Sequence, residues 1–167
     1  KVIKEGFTPG LPLSGANSGR PTCFLEGGHL NPKPASIADE MKNLKRKLNA
    51  GADFILTQPI YDARLVVDFM RAYEEQNGKL PVPLIVGMLP LASARHAAFL
   101  QSEVPGIEIP QSARDLMEKS GSQGARTGID LAVDLIGEIK PMVQGVYLMP
   151  AFHRYDHASE IIEGIGK

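Results

Sequence analysis

Asn43-Leu44-Lys45-Arg46-Lys47-Leu48-Asn49-Ala50-Gly51-Ala52-Asp53-Phe54-Ile55-Leu56-Thr57-Gln58-Pro59-Ile60-Tyr61-Asp62 carries the pattern on which the fold turns. It reads as the end of an amphipathic helix, a glycine stop at Gly51, a buried strand over Phe54–Thr57 and a polar Gln58 at the strand's far end. A helix feeding a short apolar strand is the unit of a parallel α/β protein. In such proteins ligands collect at the carboxyl ends of the strands. A helix presenting Asn43, Arg46 and Lys47 beside such a strand end suits an anionic cofactor next to a small polar substrate.

Working outward, the helix preceding this stretch spans roughly Ile37–Ala50. Ser36 is its N-cap, with Asp39 three residues on as a capping box. Ile37, Met41, Leu44 and Leu48 fall on one stripe at 3.6-residue spacing. Glu40, Asn43 and Lys47 form a second stripe beside it, where polar heads can lean over a ligand while their stems stay packed. The plainer reading of the same residues is a solvated Lys/Arg face, made by Lys42, Lys45, Arg46 and Lys47. Toward the amino end, Thr22–Glu26 reads as a first strand, closed by Gly27-Gly28-His29-Leu30-Asn31-Pro32. Residues 1–21, rich in Gly, Pro and Ser, read as a loop or linker.

Toward the carboxyl end the alternation repeats. Asp62 caps a helix that Asn77-Gly78 ends, Leu84–Met88 is a third strand, and Ser93 caps a helix broken at Pro105-Gly106. An extra helix spans Gln111–Lys119, followed by a loop over Ser120–Gly124. A strong helix then carries Ile129, Ala132, Val133, Ile136 and Ile139. Val146–Met149 is a fourth strand, and Ile161, Ile162 and Ile165 line a final helix. Four βα units imply parallel strands with right-handed crossovers. An open doubly wound sheet and one half of an eight-stranded barrel both fit this pattern.

Composition narrows the function. With 18 Lys+Arg against 19 Asp+Glu in 167 residues, the net charge of -1 provides no broad footprint for nucleic acid or an acidic membrane. No apolar run is long enough to span a bilayer, and the lone Cys23 cannot close an internal disulfide, so a cytoplasmic setting is expected. The polar candidates at strand exits are Glu26, Gln58, His96 and Arg154. The four histidines (His29, His96, His153, His157) have no recognisable metal-ligand spacing, and there is no phosphate loop or nucleophile elbow. Gln58 offers a donor and an acceptor and Arg154 a rigid fork, which suits amide, carbonyl or carboxylate recognition. A buried Gln bonded to backbone and a surface Arg fit the spacing equally well.

The segments Asn43–Asp53, Thr57-Gln58 followed by Asp62, Gly87-Met88-Leu89-Pro90 and Ile109-Pro110 resemble the methylenetetrahydrofolate reductase family, in its order and spacing. The tail Gly145-Val146-Tyr147-Leu148-Met149-Pro150 with Arg154-Tyr155-Asp156 is similar to the bacterial version fused to a homocysteine methyltransferase domain. The resemblance implies a (βα)8 barrel, of which residues 22–167 are the C-terminal half. It implies FAD as cofactor and NAD(P)H as co-substrate, with 5,10-methylenetetrahydrofolate reduced to 5-methyltetrahydrofolate in one-carbon and methionine metabolism. Asn43, Arg46 and Lys47 match FAD-contacting helix positions. Asn31 falls where some members have His before the Pro, and Glu40 where they have Asp, adding two positions to the cofactor set. Gln58 matches a pterin-bonding residue, Arg154 a folate-contacting Arg, and His96 aligns with a substrate-contacting Gln. On this reading Lys47 and Gln58 border one shared cavity.

The family's general-acid Glu and the Asp near flavin N1 belong to strands that precede this stretch. The 167 residues alone are therefore expected to hold no FAD tightly and to reduce no folate. Exposed edges of a half-barrel would pair with the missing N-terminal half or with a second copy, so self-association is expected. Two alternatives remain: a non-catalytic half-barrel that dimerises, and a barrel enzyme gripping a phosphorylated substrate with Arg46, Lys47 and a Gly27-Gly28 loop.

Overall fold

A computed structural model describes residues 23–166; the segment read as a linker, 1–21, and the start of the expected first strand lie outside them. Four parallel strands, β1 (Gly27–Leu30), β2 (Phe54–Pro59), β3 (Leu84–Met88) and β4 (Gly145–Leu148), are ordered β1-β2-β3-β4. The helices are α1 (Ile37–Asn49), α2 (Ala63–Asn77), α3 (Ala94–Glu103), α4 (Gln111–Ser120), α5 (Gly124–Ile139) and α6 (Tyr155–Ile165). A doubly wound sheet reverses its strand order at a switch point. Here the order runs in one direction, as in one half of a (βα)8 barrel.

Local sequence explains most boundaries. The Ser36 hydroxyl accepts the Asp39 N–H at 3.2 Å, and Gly51 takes φ 98 just past the α1 cap. That is the left-handed conformation that a glycine adopts at low cost. Asp62 and Ser93 cap α2 and α3 in the same way, through the N–H groups of Arg64 and His96. Residues expected as a loop after α4 form a short 3₁₀ turn, Gly121–Gln123, that runs straight into α5.

The first strand departs from expectation. It is Gly27–Leu30, not Thr22–Glu26, and Phe24 and Leu25 are exposed. A Cβ on Gly27 would stand 2.7 Å from the Phe54 ring, and one on Gly28 would stand 2.7 Å from Ile55 Cδ1. The bulky side chains of β2 occupy the space, so glycines form the strand, and tertiary packing overrides β-propensity. Glu26 consequently stands at the strand's entry, and Asn31 at its exit. The Glu26 N–H donates to Asp53 Oδ2 at 2.7 Å, and the Glu26 carbonyl accepts the Asp53 N–H at 2.8 Å.

The main core lies on the helical face of the sheet. Leu30, Ile55, Leu84, Val86 and Met88 pack there with Met41 and Leu44 of α1, Val66, Phe69 and Met70 of α2, and Ile129, Ile136 and Ile139 of α5. Ile37, expected in the α1 stripe, is exposed. The alternate strand residues Leu56, Ile85 and Tyr147 belong to neither apolar cluster and keep partial exposure. That is the face a closed barrel turns toward its axis. A second cluster, Leu91, Ala97, Leu100, Ile107, Ile109 and Met117, sits beneath the long connection from β3 to β4.

Candidate functional site

Asn31, Glu40, Asn43, Arg46 and Lys47, scattered over 17 positions of sequence, are linked at the exit of β1 by three hydrogen bonds and an ion pair. Glu40 is the hub and only 9% exposed. One carboxylate oxygen accepts the Asn31 N–H at 3.1 Å, and the other accepts from Asn43 Nδ2 at 3.3 Å. The Lys47 ammonium lies 3.7 Å from Glu40 Oε1 and also donates to the His29 carbonyl of β1. Arg46 is exposed, and its guanidinium donates to Asn43 Oδ1 at 2.6 Å. The 3.6-residue spacing of α1 puts Glu40, Asn43 and Lys47 on one face, and β1 ends directly beside it. Two cations and a carboxamide, backed by one shielded carboxylate, suit an anion that also carries hydroxyl groups.

Gln58, His96 and Arg154 share no hydrogen bond with one another among the described residues. Gln58 sits at an irregularity in β2: Leu56 pairs with Ile85, but Pro59 pairs with Gly87, so β2 carries one extra residue. Such a bulge re-aims a side chain at a strand end. Thr57, buried, stabilises it by accepting the Gly87 N–H at 3.0 Å while donating to the Gln58 carbonyl at 2.7 Å. Tyr147 reaches across from β4 and donates its hydroxyl to the Thr57 carbonyl at 2.6 Å. Burial pushes that phenol's pKa up.

His96 lies in the first turn of α3, where Nδ1 accepts the Ala92 N–H at 3.1 Å. Burial lowers its pKa below the ordinary imidazole value. Its ring meets Phe152 edge-on at 5.1 Å. Phe152 and His153, just after β4, both take positive φ (55 and 58), an uncommon pair for residues with side chains. Arg154 is exposed and bonded to Asp156 at 2.5–3.1 Å. That guanidinium holds the Asp156 carboxyl down to about 2. Arg154 therefore has a standing carboxylate partner that any ligand must share or displace.

Lys47 and Gln58 stand on neighbouring units, near the carboxyl ends of the paired strands β1 and β2. His29, which receives Lys47, pairs with Leu56, two residues short of Gln58. A cavity of about 520 Å³ opens near the strands' amino ends, lined by Met70, Arg71, Lys79, Met142 and Gln144 among others. The Gly27-Gly28 pair lies inside β1, packed on β2, so it is not the free loop that an anion cradle requires. Sequence reading did not anticipate His29, Thr57, Tyr147 or the approach of Gly106 to Gln58; only the glycine's own identity hinted at the last. Among the described residues no helix is long and apolar enough to cross a membrane.

A unidirectional four-unit parallel sheet alternating with helices is the architecture of half a (βα)8 barrel. The family profile described as methylenetetrahydrofolate reductase matches residues 26–166. The chain belongs to that family. It is 36% identical over 112 residues to methylenetetrahydrofolate reductase 2 of Saccharomyces cerevisiae, covering 66% of this chain and 17% of the relative. It is 31% identical over 104 residues to methylenetetrahydrofolate reductase 1 of Schizosaccharomyces pombe, covering 59% and 16%. The chain thus spans about a sixth of the length of these relatives. Among solved structures, an uncharacterized protein from Clostridium thermocellum that binds two copies of 5-methyl-5,6,7,8-tetrahydrofolic acid shares the fold. Its TM-score is 0.66 at 19% identity, covering 86% of this chain and 53% of that one.

Proposed function

We propose that this chain supplies the cofactor-tail and folate contacts of a flavin-dependent methylenetetrahydrofolate reductase. The reaction is the reduction of 5,10-methylenetetrahydrofolate to 5-methyltetrahydrofolate at the expense of NAD(P)H. The observation that carries the reading is the linked set Asn31–Glu40–Asn43–Arg46–Lys47 at the exit of β1. Its donor chemistry fits FAD: Arg46 and Lys47 would hold the pyrophosphate or adenosine end, Asn43 would bond a hydroxyl, and Glu40 would keep the set in place. When bound, the flavin would accept hydride from the nicotinamide and pass it to the folate.

Gln58, aimed by the β2 bulge, would bond the pterin edge, while His96 and Arg154 line the outer rim where the rest of the folate lies. The folate bound by the solved neighbour and the family membership both favour this ligand class. Proton transfer falls to groups outside these residues, since none of the described strand-end side chains pairs as acid and base. The edges of β1 and β4, which no strand covers among the described residues, would pair with the other half of a barrel, or with a second copy of this one. Flavin absorbance and NAD(P)H-dependent folate reduction by the full-length protein test the whole reading. A colourless full-length protein that binds no added FAD refutes it. Residues 1–167 purified alone should be colourless and inactive; a yellow preparation that oxidises NADH would defeat that second part.

A further inference from the structure

The connection from α3 to α4, residues 104–110, turns back across the sheet to the exits of β1 and β2. At one point it touches Gln58. A Cβ built on Gly106 would lie 2.6 Å from Gln58 Oε1 and 3.4 Å from Nε2, closer than a real side chain tolerates. Gly106 also takes φ +83, a conformation that calls for glycine, and a side chain there would have to push the Gln58 amide aside. Two residues on, Glu108 pairs with Lys33 in the loop that leaves β1.

The connection is anchored at its base. Ile107 and Ile109 are buried in the second apolar cluster, the Ile109 N–H donates to Gln101 Oε1 at 2.8 Å, and the Ile107 N–H donates to the Val104 carbonyl at 3.2 Å. Gln58 is therefore placed by the bulge that Thr57 ties to Gly87, and the backbone at Gly106 passes close beside its amide.

We propose that residues 104–110 form a strap that positions the Gln58 amide for its ligand, with Gly106 as the contact and the Lys33–Glu108 pair as the hook. The proposal rests on the folate reading of Gln58. Both partners of the hook are about half exposed, 51% and 55%. An ion pair so placed adds little stability and is screened by salt, so the hook opens without unfolding the strap's base. The strap thereby makes the amide's position depend on a residue far along the chain. Displacing an orienting group by about 1 Å is enough to cost up to about a hundredfold in function.

The test is isothermal titration of the full-length protein with 5-methyltetrahydrofolate, together with a melting curve of each variant. Gly106→Ala is compared with Gly78→Ala, since Gly78 has φ +75 with nothing within 4 Å of its Cβ position. Both variants put alanine at a positive φ, so both melting temperatures should fall. Only Gly106→Ala should raise the Kd, by about tenfold or more. Lys33→Met should raise it by about threefold and weaken its salt dependence over the screening range. Equal Kd values for Gly106→Ala and Gly78→Ala would overturn the strap. If Gly106→Ala does not fold, an unchanged Kd in Lys33→Met does so. Gln58→Glu separates the two levels: a Kd untouched by that change refutes the folate reading itself, whereas a weakened Gln58→Glu beside a neutral Gly106→Ala refutes the strap alone.

Discussion

The Glu40 carboxylate accepts the backbone N–H of Asn31 at 3.1 Å, tying the middle of α1 to the exit of the edge strand β1. Edge strands leave backbone groups without a strand partner, and here a buried side chain takes one of them. Glu40→Ala would orphan the Asn31 N–H, free Asn43 and leave Lys47 without its carboxylate. A loss of about 1–3 kcal/mol in urea unfolding is expected. Glu40→Gln, which keeps an acceptor for Asn31, should lose less than half as much. Equal losses for the two would mean that charge, not the N–H acceptor, is what α1 needs from this position.

Arg46 and Lys47 are adjacent cations with different structural duties, and that separates stability from cofactor affinity. Lys47 holds the His29 carbonyl, whereas Arg46 is exposed and its guanidinium bonds the neighbouring Asn43. Lys47→Met should lower stability by about 1 kcal/mol, and Arg46→Ala by less than about 0.5 kcal/mol. Each should weaken FAD binding in the full-length protein by about tenfold or more, the scale of one charge-assisted contact to phosphate. Fluorescence titration of apoprotein with FAD measures it. FAD affinity unchanged in both variants would remove α1 from the cofactor site.

The α1 contribution was legible because every piece of it is local: a cap at Ser36, an apolar stripe, and polar residues at i, i+3 and i+7 on the adjoining face. Strands β2 and β3 were legible for a similar reason, being apolar runs bounded by turn residues. What stayed hidden depends on space set by other elements. Thr22–Glu26 has the better strand composition, yet Phe54 and Ile55 leave room only for Gly27 and Gly28. The extra residue in β2 shows itself only as a shift of register against β3, and Gly106 meets Gln58 only after the chain has passed through β3 and α3. Choosing between a barrel half and a doubly wound sheet needed strand order, which periodicity does not encode.

His96 makes stability depend on pH near neutrality. Burial lowers its folded-state pKa below the ordinary 6.5, and protonating Nδ1 would also set an N–H against the Ala92 N–H it now accepts. The unfolded chain therefore binds the proton more readily. The stability supplied by the neutral ring is complete above pH 6.5 and is lost as pH falls from there through the folded-state pKa. Melting temperatures taken between about pH 5 and about pH 8 should fall on the acid side, and His96→Gln should flatten that slope. Parallel curves for the two proteins would show that the ring does not titrate across folding.

Two glycines of α5, nine residues apart, should respond to alanine in opposite directions. Gly128 is buried where the helix meets the exit of β3, and a Cβ there would overlap the Leu91 carbonyl. Backbone cannot swing aside as a long side chain can, so the helix must move and disturb Ile129 and Ala132 of the core. Gly128→Ala should cost about 1–3 kcal/mol or more, the range for overpacking. Gly137 faces solvent with nothing within 4 Å of its Cβ position. There alanine removes only the entropy penalty of a mid-helix glycine, and Gly137→Ala should gain about 0.5–1 kcal/mol. Urea unfolding of the two single variants decides it. Losses of similar size at both sites would mean that α5 does not sit against Leu91 as described, and with it the packing that sets β3 beside β4.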